Sequence, residues 1–171
     1  MNIENFTLNV ELFYFINHAR HPLLDDFFKN FYLFGKGYVL LPVLIYVSFL
    51  QRRKIVLFTL SVALESTVVY LLKLMFDVPR PASMLKDVYL LENLYHKSFP
   101  SGDTAMAFLL ACFFSQRAPF ILKFLLFTYA FLIAYGRVYL GVHFPLDVFS
   151  GALIGIFSYG LVKKMLRSAH D

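Results

Sequence analysis

Tryptophan is absent from this chain, cysteine occurs once, and charged residues make up only 16%. Each scarcity excludes something. With Cys112 alone, no disulfide can form within the chain, and its place inside an apolar run makes it a packing residue. So few charges exclude a soluble domain of ordinary composition. No Lys/Arg-rich face is interleaved with aromatics, so nucleic acid is not an expected partner. The first twenty residues lack a basic segment followed by an apolar core, so no cleaved signal peptide is expected. Repeats, low-complexity stretches and linkers are missing too, and 1–171 reads as one domain.

What is present is apolar surface: 59% hydrophobic residues, 21 of them Phe. That composition fits an integral membrane protein. In such a protein the net charge of +5 speaks to orientation and anionic head groups. The fold expected is an all-α, polytopic transmembrane bundle over 36–171, with about five spans. Interfacial helices precede it over 7–34. In Pro22–Phe34 the positions Leu23, Leu24, Phe27, Phe28, Phe31 and Tyr32 recur at helical spacing, with Asp25, Asp26, Lys29 and Asn30 on the other face. His18 and His21, before it, read as solvated interface residues.

The spans expected are Tyr38–Leu50, Ile55–Phe76, Thr104–Phe114, Phe120–Tyr135 and Val148–Val162. Tyr38–Leu50 is short and contains Pro42, so it also fits a re-entrant segment. Ile55–Phe76 is about 33 Å long at the helical rise. Its Glu65 and Lys73 share one face, and Glu65 is expected to hydrogen-bond a neighbouring helix. The connection Asp77–Pro100 holds a weakly amphipathic piece with Met84, Val88, Leu91 and Tyr95 on one side; it fits either a helix lying on the membrane beside a lipid entrance or only a loop with one helical turn. Arg52, Arg53, Lys54, Arg117, Lys123, Lys163, Lys164 and Arg167 crowd short turns and the tail on one side of the membrane. The other side has as many cations. Density in short turns makes the first side cytoplasmic.

Every unusual polar group then falls on the opposite, external side. The stretch Gly136–Asp147 places Arg137, His143 and Asp147 between two apolar runs, where charge is costly and usually functional. Pro145 suits the first turn of a helix, so Asp147, four residues after His143, can reach back to one imidazole nitrogen. That is a nucleophile or base with its orienting carboxylate. Lys73, Arg80 and Arg137 are three fixed cations suited to a tetrahedral oxyanion. Ser101 is a natural N-cap, and the free N–H groups behind it, with Gly102 permitting close approach, form an anion site. Together these read as a phosphate-handling site.

As a set, Lys73-(six residues)-Arg80-Pro81, Pro100-Ser101-Gly102 and Arg137-(five)-His143-(three)-Asp147 resemble the three-block signature of the type 2 phosphatidic acid phosphatase superfamily. The resemblance covers 73–147, in the family's order. It implies a membrane-embedded helical bundle that removes phosphate from lipids without a metal or other cofactor. Lys73, Arg80, Ser101, Gly102 and Arg137 would bind phosphate. His143 would become phosphohistidine, with Asp147 its partner. Two positions depart from the family pattern. Asp103 stands where the family has the His expected to protonate the leaving group, and Gly136 where it has Ser. Asp103 can be a working acid, a handicap matched to an undemanding substrate, or a silencing substitution; the sequence leaves all three open. The expected partners are a phosphorylated membrane lipid and the bilayer, with no protein partner. The expected substrate is lipid A 1-phosphate or a polyprenyl pyrophosphate at the outer face of an inner membrane. Phosphatidylglycerophosphate hydrolysis, phosphotransfer to a lipid alcohol and non-catalytic lipid binding are the alternatives.

Overall fold

The computed structural model describes residue 4 and residues 6–168. Among them the regular structure is entirely helical: α1 (Thr7–Asn17), α2 (Pro22–Phe31), α3 (Leu40–Leu50), α4 (Ile55–Phe76), α5 (Pro81–Met84), α6 (Gly102–Phe114), α7 (Phe120–Tyr139) and α8 (Pro145–Ser168), with short 3-10 turns around α3. The helix limits have local causes. α4 holds no Gly or Pro in its 22 residues and ends where Asp77 turns left-handed (φ 39°). Ser101, in extended geometry, caps α6 by accepting from Thr104 N. Pro119 precedes α7, and Pro145 opens α8.

All five expected spans exist as helices, yet among the described residues only three segments are long and apolar enough to cross a membrane alone: those built on α4, α7 and α8. A fourth crossing needs Pro22–Gly35 and Gly37–Leu50 taken together, and these are bent by 53°. The fifth, α6, has 13 residues, about 20 Å at the helical rise. It is too short to span. Instead it is the buried centre, inaccessible from Thr104 to Ala111 and at Phe113, packed against α4, α7 and α8. α8 lies almost in backbone contact with it. A Cβ at Gly151 would stand 2.4 Å from Ser101 O, and one at Gly155 2.1 Å from Ala105 O. Gly151 and Gly155 are four apart on one face, the small-residue spacing that lets two membrane helices meet closely.

The side chains turned outward are Phe120, Ile121, Phe124, Phe131, Phe149 and Phe157, with others of their kind, all exposed. An apolar mantle of this extent is stable only in lipid. At one end of the bundle Arg53, Lys54, Lys163 and Arg167 line a shared depression, so the basic turn and the end of α8 lie together.

The connection after α4 takes the second of its two expected forms, a loop with one helical turn. Only Pro81–Met84 is helical; positive φ at Asp87 (54°) and Lys97 (56°) interrupts any longer helix. Backbone bonds from Arg80 N to Tyr95 O and from Ser98 N to Val78 O close it into a compact cap. Its apolar residues face protein, not lipid. Met84 and Val88 pack with Phe13, Val138 and Phe144, and Leu91 packs with Phe28, Tyr139 and Val142. Tyr95 stays 47% exposed. α1 lies under the same cap: Asn17 exchanges two hydrogen bonds with the Tyr89 backbone and gives a third to Tyr139 O.

Candidate active site

The tight α6–α8 seam fixes the site's geometry. Four residues before Gly151, the Asp147 carbonyl accepts from Ser101 N at 3.1 Å, joining the first turn of α8 to the cap of α6. Asp147 itself is fully buried, and its Oδ2 takes three donors: Phe144 N at 2.8 Å, Ser98 Oγ at 2.5 Å and His143 Nδ1 at 3.0 Å. A buried carboxylate is tolerated when hydrogen-bonded in this way. It fixes Nδ1 as the protonated ring nitrogen and leaves an electron pair on Nε2. Burial holds the His143 imidazole well below its ordinary value, against the opposite pull of Asp147. The ring is therefore uncharged at neutral pH.

The cations surround that ring. Arg80 Nη1 lies 3.2 Å from His143 Nε2 and also donates to Val142 O, while its Nε donates to His96 O at 2.8 Å. Lys73 Nζ donates to Lys97 O at 2.6 Å and lines a cleft with Gly102 and Asp103. Arg137, 1% exposed, donates to Glu92 Oε2, and its Nε is 3.1 Å from Asp103 Oδ2. Ser101 Oγ is turned into its own helix, 3.0 Å from Thr104 Oγ1. The first N–H groups of α6 have no intrahelical partner and keep their anion-binding character. All eight residues expected at the site thus meet at one end of the bundle.

Asp103 is ion-paired on both sides, with Arg137 Nε at 3.1 Å and with Lys36 Nζ at 3.6 Å from its Oδ2. Lys36 occupies the bend between α2 and α3, where an extended backbone (ψ 151°) lets it also reach Glu92 Oε1 at 2.6 Å. Burial raises the Glu92 carboxyl, but Arg137 and Lys36 more than offset this and hold it below its ordinary value. The other departure has a packing cause. A Cβ at Gly136 would stand 2.8 Å from the Phe28 ring, which is buried in the space a serine would need.

Sequence reasoning missed Ser98, Glu92 and Lys36. Only Lys36 carried a signal, standing between two glycines in an apolar stretch. Glu65 is buried as expected, but its oxygen meets Ser66 of the same helix at 3.1 Å instead of a neighbouring helix. His18, though exposed, pairs with Asp87 O at 2.9 Å, and His21 caps α2.

A short buried helix carrying an anion-binding turn, ringed by membrane spans that, with their connections, supply three cations and a His–Asp pair, defines a membrane-embedded phosphate enzyme. The family profile of the PAP2 superfamily matches residues 54–170, and the chain belongs to that superfamily. It is a lipid phosphatase of this family, a hydrolase of phosphate esters or anhydrides. The crystal structure of Aquifex aeolicus LpxE superposes with a TM-score of 0.93 at 53% identity, covering 96% of this chain and 99% of that one. An undecaprenyl-diphosphatase of Sulfolobus acidocaldarius is 31% identical over 155 residues, 89% of this chain and 75% of the relative. A PAP2-type phosphatidylglycerolphosphate phosphatase from Bacillus subtilis shares the fold (TM-score 0.77, 24% identity, 94% of this chain and 85% of that one).

Proposed function

We propose that this chain dephosphorylates a polyprenyl pyrophosphate or a lipid A 1-phosphate at the outer, periplasmic face of an inner membrane, through a phosphohistidine. The observation that carries this reading is the unprotonated Nε2 of His143, facing Arg80 at 3.2 Å while Asp147 holds the other side of the ring. Nε2 attacks phosphorus, the bond to the leaving oxygen breaks, and water then releases orthophosphate from the imidazole. Arg80, Arg137, Lys73 and the N-terminus of α6 stabilise the equatorial oxygens. No metal takes part in this scheme.

Two features favour these substrates. Asp103 is the ion-pair partner of two cations, Arg137 and Lys36, so a leaving group that needs little protonation suits the site. A pyrophosphate expels a lipid monophosphate, a stable anion whose second pKa is about 6; an anomeric oxygen is intermediate. An apolar groove of about 820 Å³ also runs from Phe76 and Phe99, beside the Pro100–Ser101 turn, along α4 and α8 to Lys164. It suits a long lipid chain. The Sulfolobus relative's name points to the pyrophosphate, and the likeness to LpxE agrees with the lipid A 1-phosphatase branch. The periplasmic orientation rests on the basic density of the short turns.

Phosphate release from polyprenyl pyrophosphate, lipid A and glycerophospholipids, assayed with chelator present, tests the activity. A chelator-sensitive reaction would overturn the mechanism. Impermeant labelling of cysteines placed singly at 53 and 90 in a Cys112→Ala background tests the face; labelling at 53 in intact cells would reverse it.

A further inference from the structure

The two oxygens of Asp147 are served differently. Oδ2 accepts from His143, Ser98 and Phe144. Oδ1 is buried and receives no donor from the described residues. Against Asp147 lies the carboxyl of Glu4, itself fully buried, with no donor to either oxygen among the described residues. Two ionised carboxylates in such contact repel one another, and one proton between them turns the repulsion into a hydrogen bond. Asp147 already accepts three hydrogen bonds, so the proton belongs to Glu4. Burial, then the hydrogen bond and charge of Asp147, push the Glu4 carboxyl up to about 11, with Lys73 and Arg80 pulling the other way. The charged groups that act on it most strongly are Asp147 from α8, Lys73 from α4 and Arg80 from the connection after α4.

Glu4 is tied in place. Asn9 Nδ2 donates to Glu4 O at 2.8 Å, and Asn9 Oδ1 accepts from Leu146 N at 3.0 Å, so one side chain couples Glu4 to the turn that carries Asp147.

We infer that Glu4 is a positioning residue for the proposed phosphatase reaction, a carboxylic acid that donates to Asp147 Oδ1 and holds that carboxylate from behind while His143 engages its front. The inference rests on the His143 mechanism proposed above. The Glu4 proton stays on Glu4 throughout. When His143 takes the phosphoryl group its ring becomes cationic, and the Nδ1 proton must remain on nitrogen. A donor at Oδ1 spreads the Asp147 charge and lessens its pull on that proton.

The test uses the full chain in detergent, with Glu4→Gln and Glu4→Ala, and His143→Ala as control. Gln retains an N–H donor; Ala does not. Glu4→Ala should lower kcat roughly tenfold or more with KM within about twofold, while Glu4→Gln stays within about threefold of wild type. Infrared difference spectra of the wild type at pH 9 should contain a protonated-carboxyl band that Glu4→Gln removes. Glu4→Ala with wild-type kcat, Glu4→Gln as slow as Glu4→Ala, or the absence of that band would each overturn the inference. An active His143→Ala protein would instead overturn the phosphohistidine reading, and the infrared arm would still decide whether Glu4 carries the proton.

Discussion

Arg80 Nη1 stands 3.2 Å from His143 Nε2, the ring nitrogen that Asp147 does not use. The guanidinium is not free to swing, because Val142 O accepts from Nη1 at 2.9 Å and His96 O from Nε at 2.8 Å. An anion drawn to Arg80 is thereby delivered to the electron pair of the imidazole.

His143→Ala should abolish turnover while lipid binding and the fold persist, and Asp147→Asn should lower kcat less completely. The pH profile follows from burial. His143 is held well below 6.5, so the ring is uncharged through neutral pH, and the acid limb of kcat/KM should lie below 6.5. The same depression acts on stability. Below pH 6.5 the unfolded chain binds a proton here that the folded one refuses, so stability should decline as pH falls. A limb at or above 6.5 that His143 variants leave in place would count against this assignment.

Asp103→His should raise turnover of phosphatidic acid proportionately more than that of a polyprenyl pyrophosphate, since only the former expels an alkoxide that needs a proton. It should also loosen Arg137, whose Nε now contacts Asp103 Oδ2 at 3.1 Å. Steady-state kinetics on both substrates check this; equal effects on the two would remove Asp103 from any account of substrate choice.

Glu92 occupies Arg137 and Lys36 much as a phosphate oxygen would. A bound phosphoryl group must compete with that carboxylate. Glu92→Gln keeps the shape and removes the charge, so orthovanadate and inorganic phosphate should inhibit several-fold more strongly. Unchanged inhibition constants would mean that Arg137 does not reach the phosphoryl group.

Gly136→Ser restores the hydroxyl that the family carries, yet its Cβ would meet the buried Phe28 ring at 2.8 Å. Overpacking of this kind costs about 1–3 kcal/mol. Thermal unfolding in detergent should show the loss, and Phe28→Leu in the same chain should recover part of it. A Gly136→Ser protein as stable as wild type would show that the ring gives way.

What could be read from the sequence was what is out of place in a membrane. Lys73, Arg80, Arg137, His143 and Asp147 stood out because apolar runs surround them, and Pro145 and Ser101 marked the helix starts that orient the site. Ser98, Glu92 and Asn9 are ordinary polar residues in segments that look like surface. Arg137 meets Glu92 across 45 residues, and Asn9 meets Leu146 across 137, so no local spacing announces either. The choice between a membrane-lying helix and a loop over 84–95 was not legible for a related reason. Its apolar residues do need cover, but α1 and the 138–144 turn supply it instead of lipid. The mechanical role of α6 was hidden as well, because Gly151 and Gly155 reveal a seam only once the facing carbonyls are known.

α6 has 13 residues and is buried along nearly its whole length by α4, α7 and α8, so its length has no need to match the hydrocarbon thickness. Mismatch with a thinner or thicker bilayer falls on the outer helices, which can tilt. His143, Asp147 and the first turn of α6 ride on the α6–α8 seam, where backbone meets backbone. Reconstituted into vesicles of graded acyl-chain length, the protein should keep a nearly constant kcat, with any dependence on thickness appearing in how readily the lipid substrate is captured.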